Sequence, residues 1–266
     1  MTNIASLQNP RVKAAVKLRQ RAHRDAQGLF IVEGFRELKR ALASGRRPKI
    51  LFVCEKLFLG ENEPELIEQS RQVGAEIVSC PPPVFEKMAY RERPEGLLAI
   101  LPQVLQNLAD LKLPPRPLLI VAEKIEKPGN LGTILRSADA AGAAAVIVCD
   151  RCTDIHNPNV VRASIGTLFT VPVMETSSTE ALAWLRQHKI QILAASPHAQ
   201  LDYTDADLRP GTAIVVGAEQ YGLSSFWLEA ADRKVRIAMH GQADSLNVAA
   251  ATTILLFEAL RQRTKR

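Results

Sequence analysis

The sequence has few aromatic residues, 5 %, and no apolar run approaching the ~20 residues that a membrane-spanning helix needs. No transmembrane segment is expected. Cysteine is also scarce. The four thiols, Cys54, Cys80, Cys149 and Cys152, lack the spacing of a disulfide framework. Cys149 and Cys152 make one C-x-x-C with no second pair and no histidine at metal spacing. This pattern reads as a strand cysteine and a loop cysteine, and no metal is expected. Glycines never form G-x-G-x-x-G, so the dinucleotide fingerprint is missing. Gly217 and Gly222 have P-loop spacing, but Leu223 stands where the phosphate-binding lysine is required. The first ten residues are polar and lack a signal-peptide core. These absences argue against a secreted protein, an NTPase and a dehydrogenase, and point to a reduced, cytoplasmic one.

What is present suits two ordinary domains: 266 residues, 47 % hydrophobic and 23 % charged. The net charge of +6 is unevenly placed. Residues 1–49 hold 12 Lys and Arg against 3 acids, a balance of +9, and the remainder carries −3. Such asymmetry favours a polyanion partner; the competing reading is a solvated basic face that touches nothing.

Helical and strand periodicities alternate along the chain. A basic helix spans 6–27, followed by strands at 29–32, 50–53, 76–78 and 97–101 with helices at 33–43, 65–73 and 84–89. This is a small α/β domain over residues 1–101. Residues 102–117 contain Pro102, Pro114, Pro115 and Pro117 and read as a linker. A second domain, 118–266, opens on the continuous apolar strand 118–122, suited to a parallel sheet buried on both faces. Further strands are expected at 144–149, 168–171, 190–194, 213–216 and 235–237, with helices at 131–141, 159–165, 179–188 and 224–231. A last helix is expected from Ser245, an N-cap residue type, to about Arg263.

In parallel α/β sheets, ligands bind outside the carboxyl ends of the strands. Three polar, glycine-containing loops leave strand ends there: 127–132, 217–224 and 239–245. Asn130 and Arg136 lie within two turns of each other, so both can approach one site from a helix N-terminus. An arginine on a helix of small and apolar residues is costly to bury without an anion. A salt bridge to Asp139 or Glu123 is the structural alternative for Arg136. Asn247, in the first turn of an apolar helix, needs polar partners or serves only as a local cap.

Three segments then combine: Glu123 to Gly142 around Lys127-Pro-Gly-Asn-Leu-Gly-Thr133 and Arg136; Val216-Gly-Ala-Glu-Gln-Tyr-Gly-Leu-Ser224; and Ile237-Ala-Met-His-Gly-Gln-Ala-Asp-Ser-Leu-Asn-Val248. In this order and at these separations they resemble the SpoU (TrmH-type) family of RNA 2′-O-ribose methyltransferases, of the SPOUT superfamily. The front half, with Asn9-Pro-Arg-Val-Lys13 and Phe30 to Leu38, is similar to the family's RNA substrate-binding domain.

The resemblance implies a parallel-sheet catalytic domain whose C-terminal segment threads a deep trefoil knot. It also implies S-adenosyl-L-methionine as cofactor, held mainly by backbone groups of Gly217, Ala218, Ile237, Ala238 and Leu246. Ala238 replaces the proline usual in the family, and Gln220 and Tyr221 occupy positions that are often smaller. The implied catalytic set is Asn130, Arg136, Glu219, Ser245 and Asn247. Arg136 would lie nearest the 2′-hydroxyl. Because an arginine side chain keeps its proton at neutral pH, it would act at least as a phosphate and hydroxyl positioner. The expected substrate is RNA, with large-subunit ribosomal RNA preferred over transfer RNA; a catalytically inactive RNA binder, or a methyltransferase acting on protein or a small molecule, are the other readings. The terminal helix carries apolar residues on nearly every side, so a homodimer through the second domain is expected.

Overall fold

The computed structural model describes residues 2–264. The chain divides into two compact units, residues 2–104 with 154–170, and residues 105–153 with 171–264. The first unit is therefore not closed by residues 1–101 alone. A segment from the middle of the chain completes it.

In that unit the elements are β1 (Thr2–Asn3), α1 (Pro10–Lys17), α2 (Arg21–Gln27), β2 (Leu29–Glu33), α3 (Phe35–Ala43), β3 (Ile50–Val53), α4 (Glu63–Gln72), β4 (Glu76–Ser79), α5 (Pro82–Met88) and β5 (Leu97–Pro102). The strands form one sheet in the order β1-β4-β3-β5-β2. β1, β4 and β3 run parallel, and β5 is antiparallel to both β3 and β2. Asn9 starts α1 by accepting the Arg11 N–H at 2.9 Å, and Pro10 occupies the first helical position, where its missing N–H costs nothing.

The single helix expected over 6–27 is two helices. The break is stabilised by Arg24, which is 1 % exposed and donates to the carbonyls of Leu18 and Arg19 at 2.9 and 2.8 Å. Those carbonyls would otherwise be orphaned at the end of α1. The same guanidinium pairs with Asp154 at 2.7 Å. Asp154 opens the inserted segment, whose helix Pro158–Ala163 packs on β2. Phe169 and His156 lie against the Phe30 ring, with centroids 6.1 and 4.7 Å away.

The second unit follows as β6 (Leu118–Glu123), α6 (Pro128–Ala140) and β7 (Ala145–Cys149). With Pro158–Ala163 counted as α7, it continues with β8 (Val173–Thr176), α8 (Ser178–Gln187), β9 (Gln191–Ala195), β10 (Leu201–Asp202), β11 (Thr212–Val216), α9 (Ser225–Ala230), β12 (Arg233–Arg236) and α10 (Val248–Thr264). Its seven strands are all parallel, in the order β10-β12-β9-β11-β6-β7-β8. Every residue of β6, β7 and β11 is buried, as expected for a sheet covered on both faces. Ser177 and Glu180 form a reciprocal capping box at the start of α8.

Three of the differences from the sequence expectation bear on the core or the site. The apolar run 168–171 is not a strand. Thr167–Phe169 is a short 3₁₀ turn after Gly166 (φ +78°), and its apolar side chains fill the first unit's core; the strand begins after Pro172. β12 ends at Arg236, opposite the last residue of β10, Asp202, while on its other side β9 ends at Ala195, opposite Val235. α10 starts at Val248, not Ser245. Asn247 is its cap, with Oδ1 accepting the N–H groups of Ala249 and Ala250 at 3.0 and 3.4 Å.

His156 gives the first unit a pH dependence. Its Nε2 accepts the Val104 N–H at 2.8 Å, which requires the unprotonated ring nitrogen. Burial above all, with the Arg24 charge, pushes its pKa down to about 4 from 6.5. In the unfolded chain the imidazole takes up its proton near pH 6.5, while in the fold it resists to about 4. Its stabilising contribution is therefore complete above pH 6.5 and lost as pH falls through that window, amounting to about 3 kcal/mol by linkage. Urea titrations at pH 7 and pH 4.5 should show a larger loss of stability in the wild type than in His156→Asn. Equal losses would exclude His156 as the source.

Candidate active site

The carboxyl ends of β9, β11 and β12 open onto a cavity of about 340 Å³. Its walls come from Ser196–His198, from Gly217–Leu223, from Arg236, Ile237, Met239 and Asp244–Leu246, and from Val248, Ala251 and Leu255 on α10. This is the strand-end location anticipated for an α/β sheet, and the volume falls within the roughly 300–1,000 Å³ usual for small-molecule sites.

Glycine is required in the second loop for a reason internal to the backbone. A β-carbon at Gly217 would stand 2.3 Å from the Gly222 carbonyl oxygen and 2.5 Å from the Leu223 nitrogen. The crowding reflects a tight turn: Ala218 and Gly222 are bridged, the Gly222 N–H donates to the Ala218 carbonyl at 2.9 Å, and Gly222 has φ +67°. Behind the turn, the buried Glu123 carboxylate at the end of β6 accepts the Ser224 N–H at 2.9 Å, fixing the entry to α9.

At the tip of this turn, Glu219 gathers three cationic or amide donors. Asn247 Nδ2 donates to its Oε1 at 2.7 Å, Asn130 Nδ2 donates to the same oxygen, and Lys127 Nζ lies 2.5 Å from Oε2. Asn247 Nδ2 also reaches Asn130 Oδ1 at 3.2 Å. Asn247 thus works in both directions: its oxygen caps α10 and its nitrogen joins the cluster. Hydrogen bonding to Glu219, then its charge, raises the Lys127 ammonium above its usual pKa. α6 and α10, which carry Asn130 and follow Asn247, are tied further by Ser137 Oγ and Thr253 Oγ1 at 2.7 Å.

The structure places the other candidates as follows. Gly217, Ala218, Glu219, Ile237, Ser245 and Leu246 line the cavity, while Ala238 does not. Ser245 is exposed and makes no hydrogen bond among the described residues, so it fixes no loop within the chain. Arg136 is exposed on α6, forms no hydrogen bond or ion pair among the described residues, and is absent from the cavity wall. The salt bridge to Glu123 is not formed, and no burial penalty applies to an exposed guanidinium.

Lys127 and the Ser196–His198 loop were not anticipated. Lys127 adjoins Asn130 at the start of α6 and could have been suspected; the β9 loop could not, because its nearness to the site follows from strand order. Cys149 is buried, which pushes its thiol up to about 12, and Cys152 is exposed; both are free thiols. Among the described residues no cluster of three or more His, Cys, Asp or Glu could hold a metal, and no helix is long and apolar enough to cross a membrane. A larger open groove of about 1,090 Å³ lies in the first unit, but its central Arg91 is already paired with Glu37 and Glu95.

The SpoU rRNA Methylase family model matches residues 117–257, and the MRM3-like substrate binding domain matches residues 9–99. The chain is 31 % identical over 252 residues to a 23S rRNA (uridine(2479)-2′-O)-methyltransferase of Streptomyces viridochromogenes, covering 92 % of this chain and 87 % of that one. A crystal structure of an AdoMet-bound rRNA methyltransferase from Sinorhizobium meliloti superposes with a TM-score of 0.91 at 30 % identity, covering 99 % of each chain. A crystal structure of an RNA 2′-O ribose methyltransferase gives 0.85 at 42 % identity, covering 98 % of this chain and 99 % of that one. A two-unit α/β chain, with its parallel sheet and strand-end cavity inside the first match, belongs to the SpoU rRNA methylase family of S-adenosylmethionine-dependent RNA 2′-O-methyltransferases.

Proposed function

We propose that this protein methylates a ribose 2′-hydroxyl in large-subunit ribosomal RNA, and that the Asn130–Glu219–Asn247 cluster at the rim of the cavity organises the reaction. The cavity suits S-adenosylmethionine. Its wall combines apolar residues such as Val216, Leu223 and Leu255 with Gly217, Ala218, Ile237 and Leu246, and a side chain at Gly217 would have no room. The bound cofactor supplies a methyl group already activated by a sulfonium. The protein has to hold the 2′-oxygen in line with that methyl and favour loss of its proton. Asn130 and Asn247 orient Glu219 and the ribose around it. Arg136 positions the hydroxyl and its neighbouring phosphate, and its charge favours the oxyanion that develops.

Arg136 is the best discriminator because it is exposed and makes no hydrogen bond or ion pair among the described residues. Arg136→Ala should cut methyl transfer about 10²- to 10⁴-fold while leaving thermal stability and cofactor affinity near wild type. Activity close to wild type would remove it from the mechanism. Mapping 2′-O-methylation in ribosomal RNA with and without the protein would identify the nucleotide.

The RNA-binding role of the first unit rests on its charge. Six of the basic residues in 1–49, Lys13, Lys17, Arg36, Lys39, Arg47 and Lys49, are exposed with neither an ion pair nor a side-chain hydrogen bond among the described residues. Deleting residues 1–101 would be a poor test, because it would strip the cover from Val160, Val161, Leu168 and Phe169, which are buried in the same unit. Reversing Lys13, Lys17, Arg47 and Lys49 to Glu should instead weaken RNA binding. It should also flatten the dependence of log K on log salt by up to about 3. An unchanged slope would place the phosphate contacts elsewhere.

The homodimer reading is supported by the position of Arg136 outside its own cavity, where a second copy's cofactor could be reached. The side-by-side loops 217–224 and 237–247 are likewise what the family's trefoil knot would produce. Leu256 is no test of the interface: it is fully buried within the chain. The outward side of α10 is marked by Phe257, 45 % exposed, with Ile254 half-buried one turn earlier. Phe257→Lys should lower the mass measured by light scattering and reduce activity together. A fully active wild-type monomer at micromolar concentration would overturn the reading.

A further inference from the structure

Tyr221 stands at the tip of the 218–222 turn with 78 % of its surface exposed, on the wall of the cavity. Its side chain makes no hydrogen bond or ring contact among the described residues. An aromatic ring left this open contributes little to the core of its own unit.

The backbone beneath it is held firmly. Gly217 is packed against Gly222 and Leu223, Ala218 bridges Gly222, and Glu219 is anchored to Lys127, Asn130 and Asn247. The ring is therefore presented from a braced turn, two residues from the carboxylate around which the ribose is proposed to sit. A nucleotide with its ribose at that cluster would bring its base out toward the lip of the cavity. Every nucleobase offers a π-face, and stacking on an aromatic side chain is the sequence-tolerant way to hold one.

We infer that Tyr221 is a positioning residue whose ring stacks on the base of the target nucleotide, holding that nucleotide unstacked from its neighbours so that its ribose settles on the Asn130–Glu219–Asn247 cluster. This rests on the methyl-transfer reading above. The stack forms on binding and persists through the reaction, so its loss appears in RNA binding more than in turnover.

The test uses the full-length protein and its Tyr221→Ala, Tyr221→Phe and Tyr221→Trp variants, with a ribosomal RNA transcript as methyl acceptor. Tyr221→Ala should raise KM for RNA on the order of 10- to 100-fold with kcat changed far less; Phe and Trp should restore KM. The dissociation constant for S-adenosylmethionine, measured calorimetrically without RNA, should stay the same in all four proteins. An unchanged KM in the alanine variant would overturn the inference. So would Phe failing as badly as Ala, which would assign the role to the hydroxyl. A parallel loss of cofactor affinity would assign the ring to the cofactor, and a loss of dimer mass would assign it to a subunit contact. Absence of methyl transfer by the wild type would defeat the earlier reading instead. Anisotropy titration of the same variants with single-stranded RNA would then still decide, since equal affinity of wild type and Tyr221→Ala removes the stack.

Discussion

The Glu219 carboxylate is where three distant parts of the chain meet. It receives Asn130 and Lys127 from the start of α6, and Asn247 from the start of α10. A carboxylate has only acceptors to offer, so it can gather several donors and hold the loops bearing them at fixed distances. Because Asn247 also caps α10 with its oxygen, one side chain couples the register of the last helix to the geometry of the site. The turn carrying Glu219 is narrow enough to exclude a β-carbon at Gly217, so the carboxylate has little freedom to move away.

This arrangement separates two tasks. The cluster and the cavity are made within one chain, by segments leaving β6, β9, β11 and β12. Arg136 is not engaged by either. An exposed guanidinium with no ion pair among the described residues, on a helix otherwise packed through Leu131, Ile134, Leu135 and Ala138, contributes little to stability and is free to act on an anion. The exposed Phe257 on neighbouring α10 is also unexplained by folding of a single chain. The proposed association of two copies would give both residues a role.

The first unit uses its positive charge in two ways. Arg24 is spent on structure. Buried with Asp154 and donating to the end of α1, it fastens the inserted segment 154–170 into the unit. Removing its anion would leave a buried charge uncompensated, the costly half of such a pair. Exposed residues such as Lys13, Lys17, Arg47 and Lys49 make no such contacts among the described residues and leave the surface positive. Sequence charge alone counts both kinds equally.

The sequence by itself determined most of the element types, the two-part organisation, the parallel character of the second sheet and the three polar loops that carry the candidate site residues. These follow from local information: unbroken apolar runs such as Leu118–Ala122, prolines and asparagines at helix starts, and polar loops after strands. Tertiary structure decided the rest. Residues 168–171 have strand-like composition but fill the first unit's core as a short turn, because burial is satisfied equally by either conformation. The single helix expected over 6–27 breaks where Arg24, paired with Asp154, satisfies carbonyls that a continuous helix would have used itself. Asn247 and not Ser245 caps α10, since only Asn247 has both a helix to cap and a carboxylate within reach. Strand order, which local periodicity cannot encode, places Ser196–His198 on the cavity and leaves Arg136 off it.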